Sequence, residues 1–581
     1  MVVRYVVSPH GARNTYPNIT SALRAWSALR ATSRRRRSGL VVIAPGRYDE
    51  SLVARGDLRL VAAEGPGSVV VSRLRGTVLE TYGTVAVEGL VLTGRDVDQD
   101  IVACAEGTLT LDHVEVRTPG GVGTHARPNT HVILRDSVLL HGRTLFTASQ
   151  GTIERCRFVD AADNAVAAIE GAQVAVGHSR IEGSRIHGVR VCDARATVAG
   201  CELTGTGSAA LMADTRATLV VADCVITDVH AEGIMFVEQS RGSVDRTHVT
   251  DARHGVGAAS GADPVVRDST FTACRDTGIN VQTDARGRYE DCRIVGAGNI
   301  GVFSTKGGAP AVHRCRVSGG NVGIAVTQGA RGLFTGLTIE DLTNSALRVF
   351  DPESKAVFED VRVDRCAAGL EVRGDGGTTA ELTRAEFRDV EHASVALAGQ
   401  SRTTLRNLTA HGGVLGLGVG EEAQLRAFDT RITGVSSGGA VAFGSAKLIA
   451  RNLTVTGSGS LGLCGRNSAF LDVTHGEFTD CAGVGAAFDD ECSGRLVDSS
   501  VSGAGELGVR HNGLVDLTSL TTSLRLVRNR EPVPLPPTII NIFNNAVFTG
   551  PHITGPVTHS QFAWNNQQVT QNQTNEDGAE R

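Results

Sequence analysis

The stretches CVITDVHAEGIMFV (residues 224–237), THVTDARHGVGAAS (247–260) and STFTACRDTGINVQ (269–282) are variants of one another, with Cys224, Thr247 and Ser269 in the same place. The register extends well beyond them. A small or apolar residue, followed two positions later by another apolar or small one, recurs at a nearly constant step. It marks Cys156, Ser179, Cys201, Cys224, Thr247, Ser269, Cys292, Cys315, Leu337, Val361, Ala385, Leu408, Thr430, Leu453, Gly476 and Ser499. A second column keeps the same step at Gly188, Gly233, Gly255, Gly278, Gly301, Gly323, Gly369, Gly416, Gly462, Gly485 and Gly508. Two columns in phase define a solenoid.

Within a repeat the apolar residues alternate with polar ones, as in Cys201-Glu202-Leu203, and no stretch holds the three-and-four spacing of a helix. Gly, Asp, Ser and Asn punctuate the short apolar runs. About 23 residues therefore form three short strands and three turns, one rung of a single-stranded right-handed parallel β-helix, all-β in class. Leucine-rich repeats have a similar period, but their asparagine-containing signature is absent. Looser rungs are expected near Leu90, Val114 and Val138, for about nineteen in all and a length of roughly 90 Å at ~4.8 Å per rung. Seventy glycines suit the turns, and 4% aromatic residues suit a thin aliphatic core.

Three segments follow. Residues 1–75 form a cap with the first rungs, 76–526 the β-helix, and 527–581 a proline linker with a tail. In the first, Val2 to Val7 is a strand and Asn18 to Arg30 an amphipathic helix with apolar face Ile19, Leu23, Trp26 and Leu29. Val41 to Glu50, containing Pro45-Gly46-Arg47-Tyr48-Asp49-Glu50, and a strand at Leu58 to Ala62 complete it. With Tyr16-Pro17-Asn18-Ile19 and Ala22-Leu23, this order resembles the entry segment of the pectin lyase-like superfamily, most clearly its pectin methylesterases. The resemblance covers this first segment; beyond it the likeness is one of β-helix only, of the carbohydrate-binding and sugar-hydrolase (CASH) class.

The resemblance implies a polysaccharide as a candidate ligand and catalysis as a candidate activity. The superfamily's catalytic motifs are nonetheless absent: the methylesterase aspartate motif, the W-[IV]-D-H of pectate lyases, the polygalacturonase motifs and the DPHD of alginate epimerases. Asp489-Asp490 looks like the polygalacturonase pair without its companions. The rungs barely vary in length, and two Trp and five Tyr leave little to stack on a sugar. No catalytic, cofactor or metal residue is assigned. The expected function is a non-catalytic scaffold or partner-binding protein, the alternative a uronan lyase, hydrolase or esterase.

Charge is expected to be structural. Asp223, Arg246, Asp268, Asp291, Arg314, Asp360, Arg384, Asn407, Asp429 and Asn452 precede the first column and largely alternate in sign, so stacked rungs neutralise one another. A net charge of −5 supplies no field for nucleic acid or an anionic membrane. Arg34, Arg35, Arg36 and Arg37 form a weak basic patch, read as a solvated loop. The twelve cysteines read as small buried free thiols. With no secretory signal in Met1 to Val7 and no membrane-length apolar run, a cytoplasmic protein is expected.

The tail differs from everything before it. After Glu531-Pro532-Val533-Pro534-Leu535-Pro536-Pro537, the stretch from Thr538 to Asn575 holds no Lys, Arg, Asp or Glu but twelve Asn or Gln. Phe543, Phe548, Ile553, Val557, Phe562 and Trp564 are its candidate interaction residues. Uncharged, amide-rich, β-prone sequence pairs readily with itself. It resembles the amyloid-type signalling tails of bacterial conflict proteins, though their tetrad is absent. Self-association or docking of a partner protein through residues 538–575 is expected, against the alternative of a cap. Some actinobacterial β-helix proteins continue into an AAA+ ATPase module after such a linker. No Walker loop occurs here, so a separate ATPase chain is a candidate partner.

Overall fold

The computed structural model describes residues 2–9, 15–32, 37–505, 507–522 and 526–528. They form a parallel β-solenoid of about 21 turns with one helix near the N-terminus. At ~4.8 Å per turn it is about 100 Å long. Turns beyond the expected nineteen come from the front end, where Val2–Val7 pairs in parallel with Ser38–Ile43, and that strand with Leu58–Ala62, and from the back, where Thr521 and Thr522 stack on Ser500 and Val501.

One rung shows the construction. Gln424–Thr433 runs straight to Phe428, bends at Asp429 (φ 52°) and continues from Thr430. The two arms belong to a first and a second sheet. A short turn leads to Gly438–Ala442 in the third sheet, and Lys447–Thr456 opens the next rung. Each arm lies on its counterpart one rung away, Leu425 on Leu448, Ile432 on Val455 and Ala440 on Leu463.

Both columns read from the sequence point into the core. Cys156, Cys224, Cys315 and Leu408 are all buried, as are Phe158, Ile226, Val317 and Ala410 two positions on. The glycine column lies where the chain enters the third sheet. A Cβ on Gly301 would sit 2.6 Å from the Gly323 carbonyl oxygen and 2.5 Å from Val317, so only glycine fits.

The residues before the first column sit in the left-handed region, Asp223 at φ 54°, Arg246 at 46° and Asp291 at 54°. That conformation bends the chain between first and second sheets; Asp and Asn tolerate it best, and arginine occupies it where the ladder needs a cation. The expected neutralisation is present. Arg246 Nε and Nη2 donate to the Asp223 carboxylate at 2.7 and 2.8 Å, and Arg314 to Asp291 at 2.8 and 2.7 Å. Arg384 does the same to Asp360, and Asn452 donates to Asp429 at 2.7 Å.

The helix, α1 (Ile19–Thr32), buries Ile19, Ala22, Leu23 and Trp26 against the first rungs. Trp26 Nε1 donates to the Arg55 carbonyl at 2.7 Å. Glu50 caps α1, accepting from the Ile19 and Thr20 amides at 3.0 and 2.7 Å, where a carboxylate also complements the helix dipole. Tyr48 is buried and donates to the Ala44 carbonyl at 2.8 Å. The Arg47 to Glu50 segment thus anchors the cap. Of the basic run, Arg37 lies half-buried before strand Ser38–Ile43, while Arg34, Arg35 and Arg36 fall outside the described residues. So do the tail from residue 529 onward and its candidates Phe543, Phe548, Ile553, Val557, Phe562 and Trp564.

Candidate binding face

The three sheets treat their outer surfaces differently. In Lys447–Thr456 buried residues alternate with half-buried or exposed ones, the pattern of a sheet with one face in water. In the third sheet Leu415–Val419, Gly438–Ala442, Leu461–Gly465 and Val484–Phe488 are buried at every position. Leu417, Val419 and Leu463 belong to the core; Gly418, Val441 and Cys464, between them in the alternation, face the other way and are still buried. This outward column runs rung to rung through Phe303, Ala325, Arg348, Glu371 and Ala396 to Ala487 and Arg510.

Toward the N-terminus the same face is polar. His125 takes Asp100 at 2.9 Å on Nδ1 and Thr147 at 3.1 Å on Nε2. Arg143 pairs with Asp163 at 2.6 Å and Arg190 with Asp214 at 2.9 Å. His187 meets the Ala209 carbonyl through Nδ1 at 3.2 Å, and burial pushes its imidazole down to about 4. Glu232 and His254 follow on adjacent strands, both buried, with Asp276 Oδ2 4.0 Å from His254 Nε2. Alongside, the turns entering this sheet enclose a cleft of about 430 Å³ lined by Gly205, Thr206, Gly207, Asp228, His230, Arg253 and Arg275. Arg275 stitches it together, donating to Asp251 Oδ1 at 2.7 Å and to the Val229 and His230 carbonyls at 2.6 and 3.1 Å.

Toward the C-terminus the face is largely apolar and carries two embedded ion pairs. Arg348 Nε donates to Glu371 at 3.0 Å, and its Nη2 to Asn344 and Ser345, both at 2.9 Å. Ser345 also donates to Glu371. Burial pushes the Glu371 carboxyl up, while Arg348 and Ser345 pull it back. Asp489, the first of the sequence pair, accepts both arms of Arg510 at 2.8 and 2.7 Å. Asp490 instead accepts the Asn467 amide at 3.0 Å and lies 3.4 Å from Arg466. Both carboxylates hold the last rungs together.

Of these third-sheet residues only Asp489 stood out in the sequence, as half of the Asp489-Asp490 pair. The available signal was the loss of alternation in runs such as Gly233-Ile234-Met235-Phe236-Val237, which marks a strand buried on both faces. Among the described residues, the one set of three or more His, Cys, Asp and Glu ligand atoms within 4.8 Å of one another is Asp112, His113 and Asp136. It lies apart from this face, and Asp136 is already bidentate to Arg155, at 2.9 Å on each oxygen. All twelve cysteines are free thiols, and all but Cys192 are buried. Among the described residues no helix is long and apolar enough to cross a membrane.

A family model for the right-handed β-helix region matches residues 144–286 and 254–410. No curated protein sequence matches the chain. Among solved structures, a deglycosylated pectin methylesterase from Aspergillus niger is 12% identical, with 38% of this chain and 84% of that one covered and a TM-score of 0.30. The PL6-family alginate lyase AlyGC is 8% identical over 90% of this chain and 100% of its own, again at 0.30. The catalytic unit of a GH87 α-1,3-glucanase from Streptomyces thermodiastaticus is 14% identical over 89% and 70%, at 0.19. Such values say nothing of activity. The stacked parallel rungs and the match over residues 144–410 make this chain a right-handed parallel β-helix.

Proposed function

We propose that the chain is a non-catalytic binding or scaffold protein whose ligand face is the outer surface of the third sheet. The observation that supports this reading is the state of the charges there. Asp163, Asp214, Glu371 and Asp489 are each held by an arginine at 2.6 to 3.0 Å. Glycoside hydrolysis needs two carboxylates facing each other across ~5 to ~9 Å with one able to give up a proton. Carboxylates locked to guanidinium groups are poor general acids. They suit a preorganised surface that binds without reacting.

The Thr538–Asn575 segment is proposed to join chains or dock a partner protein, because charges normally keep β-prone strands apart and it has none. A cytoplasmic setting and a separate ATPase partner belong to the same proposal. The competing reading, a polysaccharide-active enzyme, has Glu232, His254 and Asp276 in its favour. Incubation with pectin, alginate and α-1,3-glucan decides between them. No new reducing ends, unsaturated products or released methanol are expected; turnover abolished by His254→Ala would overturn the proposal. Sedimentation of the full chain and of a chain ending at residue 530 tests the tail: association lost on truncation is expected, and a full-length monomer would sink that part.

A further inference from the structure

The outer face of the first sheet carries, on three successive rungs, cations that no carboxylate neutralises. Arg402, Gln424 and Lys447 align in register, as do Thr404, Arg426 and Ile449, and then Arg406, Phe428 and Arg451. Four cations therefore stand at the corners of a grid with Arg426 at its centre. At ~3.3 Å per residue and ~4.8 Å per rung the grid spans about 13 by about 10 Å, with each corner about 8 Å from the centre. All of these cations are exposed, and among the described residues none has an ion-pair partner. The flanking rungs differ: Arg384 and Arg388 on one side are held by Asp360 and Glu386, and Arg495 on the other by Asp472 at 2.7 Å.

The nearest acids lie at the rim. Glu381 is beside Thr404 one rung out, and Asp472 beside Ile449 on the far side. Glu422 accepts from Gln400 at 3.0 Å and Asp429 from Asn452 at 2.7 Å. A net charge of −5 gives the chain as a whole no pull on a polyanion, but a Debye length of ~8 Å at physiological salt lets the grid act locally. An aromatic ring is set into it. Arg406 Cζ lies 4.7 Å from the Phe428 ring centroid, and Arg451 adjoins Phe428 on the opposite side. Past the bend, exposed Arg431 continues the central row onto the second sheet, again without an ion pair among the described residues. Across the solenoid axis this row offers an amide, a cation, a ring beneath a guanidinium and a further cation.

We infer that this face binds a single strand of nucleic acid, laid along Gln424, Arg426 and Phe428 toward Arg431. Its phosphates lie among the cations, and a base stacks on Phe428 or on the Arg406 guanidinium. Proteins that hold single strands combine a positive track for the backbone with flat groups on which bases stack, and both are present here. A duplex keeps its base faces inside and leaves the ring unused. A planar anionic membrane fits worse, because the flat sheet would press Glu381 against the same headgroups. The inference goes beyond the third-sheet reading above and does not depend on it.

Anisotropy of labelled single-stranded RNA and DNA of roughly 20 nucleotides is the test, since site sizes of this kind are shorter than that. Binding of either is expected, weakened roughly fifty- to a hundredfold between about 50 and about 200 mM salt if four or five phosphates are contacted. Arg426→Ala should weaken it at least about fivefold and flatten the salt dependence, whereas Phe428→Ala should weaken it by about as much with the salt dependence unchanged. Arg195→Ala, an exposed first-sheet arginine far along the solenoid, is the control, and the melting temperature of each variant is recorded. No binding, or equal binding by wild type and Arg426→Ala, would overturn the assignment. So would a loss confined to Arg426→Ala with Phe428→Ala unaffected, which is ion exchange alone. Tighter binding of duplex DNA, polyglutamate, alginate or phosphatidylserine vesicles than of the single strands would overturn it as well.

Discussion

The outer surfaces of the second and third sheets are made from the same repeat and meet opposite fates. At the bend into the second sheet, Arg246–Asp223 and Arg314–Asp291 stack in water, with side chains 41 to 63% exposed. On the third sheet Arg348–Glu371 and Arg510–Asp489 have side chains 0 to 7% exposed. The bond lengths are alike, so geometry does not separate the two kinds of pair. Solvent does. In water the ions keep most of their hydration and the pair adds little. Buried ions have lost theirs, and each partner becomes indispensable to the other without the pair as a whole being a strong source of stability.

The sharpest test of that contrast is the buried pair. Arg348→Ala leaves Glu371 charged and buried, at an expected cost of about 3–5 kcal/mol, whereas Arg348→Met with Glu371→Leu is close to neutral. Denaturant midpoints of wild type, single and double variants measure this. A single variant no worse than the double would erase the distinction between the faces.

Acidity separates them next. His187 beside the third sheet is depressed to about 4, chiefly by burial, so it folds neutral. Its contribution is complete above the ordinary histidine value of 6.5 and is lost as pH falls through about 4. Asp223 in the ladder is lowered from 3.8 by its bond to Arg246, so its contribution is lost only at still lower pH. Melting temperatures in steps from pH 7 to pH 3 are expected to fall first from the histidine. His187→Asn, which retains a donor for the Ala209 carbonyl, flattens the stretch between 6.5 and 4. An unchanged profile in that variant would remove the histidine from the account.

Thiol reactivity gives a smaller signal. Cys192, partly exposed next to Arg190 on the third sheet, is the one thiol not buried. Burial and Asp214 push it up to about 11. Native protein should therefore alkylate slowly at one site per chain, faster at higher pH as thiolate forms, and Cys192→Ser should abolish the reaction. Denatured, unreduced protein should label close to twelve. Rapid labelling of several native thiols would show that the rungs open locally.

The smallest effect is expected on the ladder, where Arg246→Ala should not shift the melting temperature measurably. A clear loss there would mean that exposed and buried pairs work alike.

The periodicity, the inward columns and the sign alternation of the ladder were legible in the chain alone. Each depends on one residue type recurring at a nearly constant step, and the core admits only small or apolar side chains there. The contents of the third-sheet face were not legible. Rungs differ by a residue or two, so which outward side chain lies ~4.8 Å from which depends on the accumulated register of all the turns between. Arg510 and Asp489 are 21 residues apart, Arg384 and Asp360 are 24 apart, and both pairs close. Val2–Val7 as a stacked rung, and Glu50 as the cap of α1, escaped for the same reason. Local pattern chose the strands and the faces that must be buried; only the stacked solenoid decided which polar groups meet on the outside and how much water they keep.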